Sequence, residues 1–440
     1  MPLRMPRRAP HPHPSRRPRA LAAALLTALL VLLTTPPASA APATAGARWT
    51  GTWATGVSAV PASANTVLED QTVRQIVHTS IAGKSVRVRL TNEYGTVPLV
   101  IGEAHVARAA EGPTGTETDP ATDRVLRFGG RTGVTLAPGE QRWSDPAALH
   151  TPAATDLVVS LYLPQRTRVT TVHSSAFQHT YIAPGNVTGK PSVEATAAPT
   201  SWFFLSRVSV TGTARASSVV TFGDSITDGA ITEVDANHRW PDLLAERLRE
   251  APDTARVGVL NTGIGGNRLL RDPNPPAGNP AEAYAAYFGE AGLKRFDRDV
   301  TSQPGARYAI VLLGINDIGH PGNIAPAAEE VTAADLIAGH RQLIRRAHAQ
   351  GLKIFGATLL PFEGDTLNFY SPARESVRQA LNHWIRTSGS YDGVIDFDAA
   401  VRDPAHPGRI LAAYDSGDHL HPNDAGMAAM ARAVPLGLFR

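Results

Sequence analysis

The chain has 440 residues, 42% of them hydrophobic and 18% charged, which is apolar material enough for large cores and length enough for two or three domains. Its formal net charge of +3 comes from six arginines in residues 1–40, where no acid stands; the 42 basic residues less these six leave 36 against 39 acids, a net of −3, so the rest of the chain has no basic surplus to attract nucleic acid or an anionic membrane. There is no cysteine, which excludes disulfides, a thiol nucleophile and thiolate metal sites together.

Residues 1–40 read as a secretory signal. Arg4, Arg7, Arg8, Arg16, Arg17 and Arg19 form a basic start, and Ala20 to Leu33 is an apolar stretch too short to span a bilayer comfortably. Ala38-Ser39-Ala40 is an A-x-A cleavage site. The expected mature protein is extracellular and carries no membrane anchor.

Residues 48–210 lack helical periodicity. Ser85 to Thr91 alternates strictly, with Val86, Val88 and Leu90 on one face, and Asp156 to Leu163 is apolar enough for a central strand. Val73–Ile81, Val125–Phe128, Val169–His173 and Trp202–Val210 are further strand candidates, punctuated by Gly and Pro. Short strands at this spacing predict an all-β, sandwich-like domain. Trp49, Trp53, Trp143 and Trp202 serve it either as core or as a platform for a glycan. Thr211 to Ser217 is the expected hinge.

From 217 to 440, β-type runs alternate with helical ones. The strands are Ser218–Phe222, Val257–Leu260, Tyr308–Leu313, Lys353–Leu359 and Val394–Phe397; the helices include Trp240–Leu248, Ala334–Gln350 and Ser376–Ile385. Five β/α units predict a parallel sheet covered by helices.

Four short blocks follow strand ends or stand near the C-terminus. Gly223-Asp224-Ser225 puts a serine on a tight turn after a strand, with its hydroxyl exposed and its own N–H free. Asn261-Thr262-Gly263-Ile264-Gly265-Gly266 and Gly314-Ile315-Asn316-Asp317 follow the next two strands, and Asp418-His419-Leu420-His421 comes near the end. In this order the blocks resemble the SGNH (GDSL-type) hydrolase family over about residues 217–440. The matching positions are Ser225, Gly266, Asn316 and His421. The resemblance implies a flavodoxin-like, three-layer α/β/α domain with a five-stranded parallel sheet. It also implies serine esterase chemistry without a cofactor.

The chemistry can be read from the residues too. His421 can take the proton of Ser225 and return it to the leaving group, and Asp418, three residues earlier, can orient the imidazole. The N–H groups of Ser225 and Gly266 and the amide of Asn316 can converge on a developing oxyanion. His419 is the rival base but does not match the family position. Asp224 and Asp317 read as turn residues. Asn267, Arg268 and Trp240 are the expected substrate-binding residues, with Glu363 and His320 as further pocket candidates. No metal-ligand spacing appears, so no metal is expected.

The expected function is a secreted esterase of short-chain or acetyl esters, an acetylated polysaccharide being the leading substrate. The alternatives are a lipase or arylesterase of broad specificity, or a glycan-binding protein with an inert second half. The filled catalytic positions argue against the last.

Overall fold

Edge-strand chemistry explains how the two halves of this protein meet. The computed structural model describes residues 48–440 apart from 113, 114 and 213; the expected signal, residues 1–40, lies outside the described residues. In the second half, five parallel strands lie in the spatial order Val257–Asn261, Ser217–Gly223, Ala306–Leu312, Lys353–Ala357, Gly393–Ile395. In chain order that is 2-1-3-4-5, the flavodoxin-like arrangement. Burial explains the near-continuous apolar strands: Val219, Val220, Phe222, Ala309, Ile310 and Val311 are all buried. Helices Trp240–Glu250, Ala333–Ala349 and Pro372–Thr387 pack their apolar stripes into the same core. The second begins with a Thr332/Asp335 capping box and the third with the Ser371 cap, which fixes where each starts.

The first half is antiparallel throughout its two main sheets. One orders Thr50–Ala54, Leu205–Thr211, Ser85–Thr91 and Gln141–Trp143; the other orders Thr180–Pro184, Gln71–His78, Asp156–Leu163, Glu103–Arg108 and Arg124–Val125. Inward residues of both, among them Val86, Val88, Leu90, Val73, Val77, Leu157 and Leu161, share one core. The sequence expectation of an all-β region ahead of an α/β region holds. The strand expected over Val125–Phe128 is shorter and shifted: it runs over Arg124–Val125, one further bond joins Leu126 N to Ala104 O (2.8 Å), and Phe128 bridges to Arg131 across a Gly129-Gly130 turn.

Val257–Asn261 would leave an open sheet edge, a row of unpaired backbone groups. The β-rich half covers it. Ser80 Oγ accepts from Val259 N (3.0 Å) and donates to Thr52 O (2.6 Å). Gly51 N donates to Pro304 O (2.8 Å), and Ser218 Oγ donates to Gly51 O (3.1 Å). The described residues 48–440 accordingly form one compact unit.

The tryptophans divide between two roles. Trp53 and Trp202 are core, edge to face at 4.8 Å, and Trp202 Nε1 donates to Ile76 O (2.9 Å). Trp49 and Trp143 sandwich the Arg87 guanidinium, 4.5 and 4.2 Å from their ring centres. No helix among the described residues is long and apolar enough to cross a membrane.

Candidate active site

Strand Ser217–Gly223 ends in a turn so tight that only glycine fits position 223: a Cβ there would lie 2.1 Å from Thr227 Oγ1 and 2.9 Å from Leu312 O. Asp224 caps the short helix Ser225–Asp228, its Oδ1 accepting from Ile226 N (3.1 Å). Ser225 is thereby presented at the C-terminal end of the sheet, where open α/β sheets hold ligands. His421 Nε2 lies 2.8 Å from Ser225 Oγ, and His421 Nδ1 lies 2.5 Å from Asp418 Oδ2. Asp418 Oδ1 accepts from the backbone N–H groups of Leu420 (3.0 Å) and His421 (2.8 Å) and from Ser416 Oγ (3.0 Å). Burial pushes the Asp418 carboxyl up, but the hydrogen bonds from the His421 ring and from these amides outweigh it and hold the group well below the ordinary carboxylate range. A serine, an imidazole and an ionised carboxylate so arranged can activate the hydroxyl and stabilise the imidazolium formed.

Gly266 and Asn316 line the same cavity as Ser225 and His421. Gly266 has φ +73°, and a Cβ on it would strike the Phe288 ring at 2.1 Å, so conformation and space both demand glycine. Gly265 N donates to Asp228 Oδ2 (2.9 Å), and Asn261 Nδ2 donates to Thr227 O (2.8 Å). These bonds tie the second block to the helix that bears Ser225. Asn316 Nδ2 donates to Asn267 O (3.0 Å); an amide has two N–H groups, and this bond uses one.

The three expected substrate-binding side chains are corrected by burial. Trp240 is fully buried in the core, edge to face with Phe397. Asn267 is fully buried and braces the loop behind the site, donating to Phe288 O (2.7 Å) and Glu290 O (2.8 Å) and accepting from Arg295 Nε (3.0 Å). Arg268 is buried against Glu329 (2.6 Å) and the carbonyl of Asp272. Glu363 pairs with Arg409 at the surface, outside the cavity lining. His320 is a lining residue, and burial followed by the nearby Arg268 charge depresses its imidazole to about 3, so it is a neutral, largely apolar wall. His419 pairs with Asp415 instead of Ser225.

The cavity measures about 230 Å³, and Phe177, Phe288, Ile324, Leu367, Phe369 and Leu420 give it an apolar lining. Ser175 and Phe177 come from the β-rich half. That half also supplies His173, buried with its Nδ1 2.8 Å from Gly56 O and its Nε2 2.9 Å from Asp228 Oδ1. Burial pushes the His173 imidazole down, but the Asp228 carboxylate outweighs it and raises the group. None of these contributions carries a motif. Away from the cavity, Glu233, His238 and Asp424 bring ligand atoms within 4.8 Å of one another, the one such metal-sized group among the described residues, with His238 Nδ1 already 2.6 Å from Asp424 Oδ2.

Asp224 and Asp317 are fully buried beside the site, and burial pushes their carboxyls up to about 7 and about 6. Asp317 spends both oxygens on Leu269 N (2.7 Å) and Leu270 N (2.9 Å), while Asp224 Oδ2 has no partner among the described residues. A carboxyl raised on folding binds its proton more tightly in the native state, so its contribution is complete below about 4 and is lost as pH rises through about 7. The buried histidines His320 and His340, depressed to about 3 and about 4, act with the opposite sign in part of this range, so the difference between two proteins isolates the term. Asp224→Asn should therefore show a Tm advantage over wild type that grows between pH 4 and pH 8. Melting curves across that range check it, and a pH-independent difference refutes the buried protonated carboxyl.

A family model described as the GDSL-like lipase/acylhydrolase family matches residues 221–429. Solved structures with similarity include the native aryl esterase of M. smegmatis (19% identity, 50% of this chain and 96% of that one, TM-score 0.37). A catalytic mutant of an acetylxylan esterase from Geobacillus stearothermophilus (21%, 50% and 93%, 0.35) and a GDSL-like lipase from Bacteroides thetaiotaomicron (16%, 52% and 90%, 0.36) are others. No curated protein matches the chain.

Proposed function

We propose, from the premise that through residues 221–429 this chain belongs to the SGNH/GDSL ester hydrolases, that it cleaves short-chain carboxylic esters by way of an acyl-enzyme on Ser225. The observation that carries the reading is the line from Asp418 through His421 to Ser225 Oγ, at 2.5 and 2.8 Å, opening on a cavity shared with Gly266 and Asn316.

In this reading His421 removes the hydroxyl proton as Ser225 Oγ attacks the ester carbonyl. The N–H groups of Ser225 and Gly266 and the free N–H of Asn316 take up the charge on the carbonyl oxygen. His421 then gives its proton to the departing alcohol. Water, deprotonated by His421 in turn, attacks the acyl-enzyme, and collapse releases the acid and restores Ser225. Asp418 keeps the imidazole in the tautomer this needs.

The cavity of about 230 Å³ has room for a short acyl group. A palmitoyl chain overruns it, and each methylene left in water forgoes about 0.8 kcal/mol. The arginine-rich, A-x-A-terminated residues 1–40 support export, and an acetylated extracellular polysaccharide is the substrate we favour. Rates on esters from acetyl to palmitoyl, with acetylated xylan included, test the reading. Acetyl and butyryl esters should show the higher kcat/KM. Faster turnover of long chains, with a jump above the micellar threshold, overturns it in favour of a lipase.

A further inference from the structure

The β-rich half reaches into the cavity at one strained turn. Phe177 has φ +47°, in the left-handed region that bulky residues rarely enter. The segment packed against it, which follows the Ser225 helix, enters the same region at Ile231, Asp235 and Asn237, with φ of 67°, 68° and 54°, which is unusual for the β-branched Ile231. The turn is clamped despite this. Asp235 N donates to Phe177 O (3.0 Å). Asp235 Oδ1 accepts from Gln178 Nε2 (2.6 Å) and His179 N (2.7 Å), and Asp235 Oδ2 lies 2.6 Å from His179 Nδ1. Arg239 donates to the carbonyl of Ala176. Such an outlier persists only where the surrounding structure holds it, as these bonds do here.

Its use follows from what it faces. Phe177 lines the cavity of Ser225, together with Phe288 and Leu367 and with the buried Phe369, Leu420 and His320. His320 is neutral and rests against Phe288 and Phe369, ring centres 5.3 and 5.4 Å apart, so the cavity carries an apolar wall. An ester offers two groups to such a site. A sugar alcohol carries hydroxyls that these apolar side chains cannot hydrogen-bond, whereas a small acyl group has none to satisfy and fits the available volume. We propose that Phe177, lent by the β-rich half, is the wall that sets which acyl groups this site accepts. The assignment rests on Ser225 being the nucleophile, and it makes the β-rich half a part of the specificity pocket.

The test uses the full chain and two ester series. The first varies the acyl group from acetate through butyrate and hexanoate to octanoate on one p-nitrophenyl alcohol. The second keeps acetate and varies the alcohol from methyl to naphthyl. Phe177→Ala should raise the hexanoate-to-acetate ratio of kcat/KM by about tenfold or more, the scale of one or two methylenes in an apolar pocket. Phe177→Gly, which suits the left-handed backbone, should do the same in a second background. Phe177→Trp should lower the butyrate-to-acetate ratio. The alcohol series should move less than threefold. Active variants with the wild-type acyl ratio, or a change confined to the alcohol series, overturn the assignment. Hydrolysis that persists in Ser225→Ala would instead strike the nucleophile reading, so the two failures are separable.

Discussion

Ser225→Ala should reduce kcat/KM on short-chain esters by on the order of 10⁴-fold or more. The cavity would keep its shape and its donors: Gly266 is fixed by its own backbone, and Asn316 is held through Asn267. What disappears is the hydroxyl that His421 Nε2 touches. Activity left in the variant would come from binding and oxyanion stabilisation of a water reaction, which is small beside the covalent route. The substitution removes one oxygen whose partner is His421, so the Tm should be near wild type, and that separates lost chemistry from lost structure. A folded variant retaining a tenth of wild-type activity would end the acyl-enzyme reading. A serine-directed phosphonate offers a second check: it should add one adduct to the wild-type protein and none to the variant.

How far the sequence reveals this site depends on which contacts are local. The four blocks are contiguous runs at strand ends, so the turn chemistry of Gly223-Asp224-Ser225 and the three-residue spacing of Asp418 and His421 are legible in one dimension. Strict alternation predicts Ser85–Thr91 to its ends, and the apolar run predicts Asp156–Leu163 likewise. Adjacency to a block misleads where side-chain direction matters. Asn267 and Arg268 follow Gly266, yet the chain turns inward there and they brace the loop from behind. Trp240 opens a helix in a plausible place, but the helix's buried face takes it. The apolar wall left no stripe in the sequence. Phe177, Phe288, Phe369 and Leu420 come from four separate segments, and the docking of the β-rich half against the second brings Phe177 to Ser225.

Two histidines two positions apart make the sharpest test of the geometry. His421→Ala should lower kcat/KM about as severely as the loss of Ser225, and His419→Ala should stay within a few-fold of wild type. The pair shares a loop and a neighbouring carboxylate, so sequence alone offers only the family position to choose between them. Their surroundings differ in kind. His421 is mostly buried, with one nitrogen on Asp418 and the other on Ser225 Oγ, which is what a base needs in order to collect a proton and hold it. His419 sits at φ +60° with half its side chain exposed, and its Nδ1 faces Asp415. Asp415 also accepts from the backbone of Gly417 and His419, so His419 helps shape the loop and its loss should register in Tm more than in rate. Asp418→Asn should fall between the two, because an amide cannot stabilise an imidazolium as a carboxylate does. Steady-state kinetics of the three variants on one acetyl ester settle the order. A greater loss from His419→Ala than from His421→Ala would mean that the loop rearranges in solution and that the 2.8 Å contact to Ser225 is not the working one.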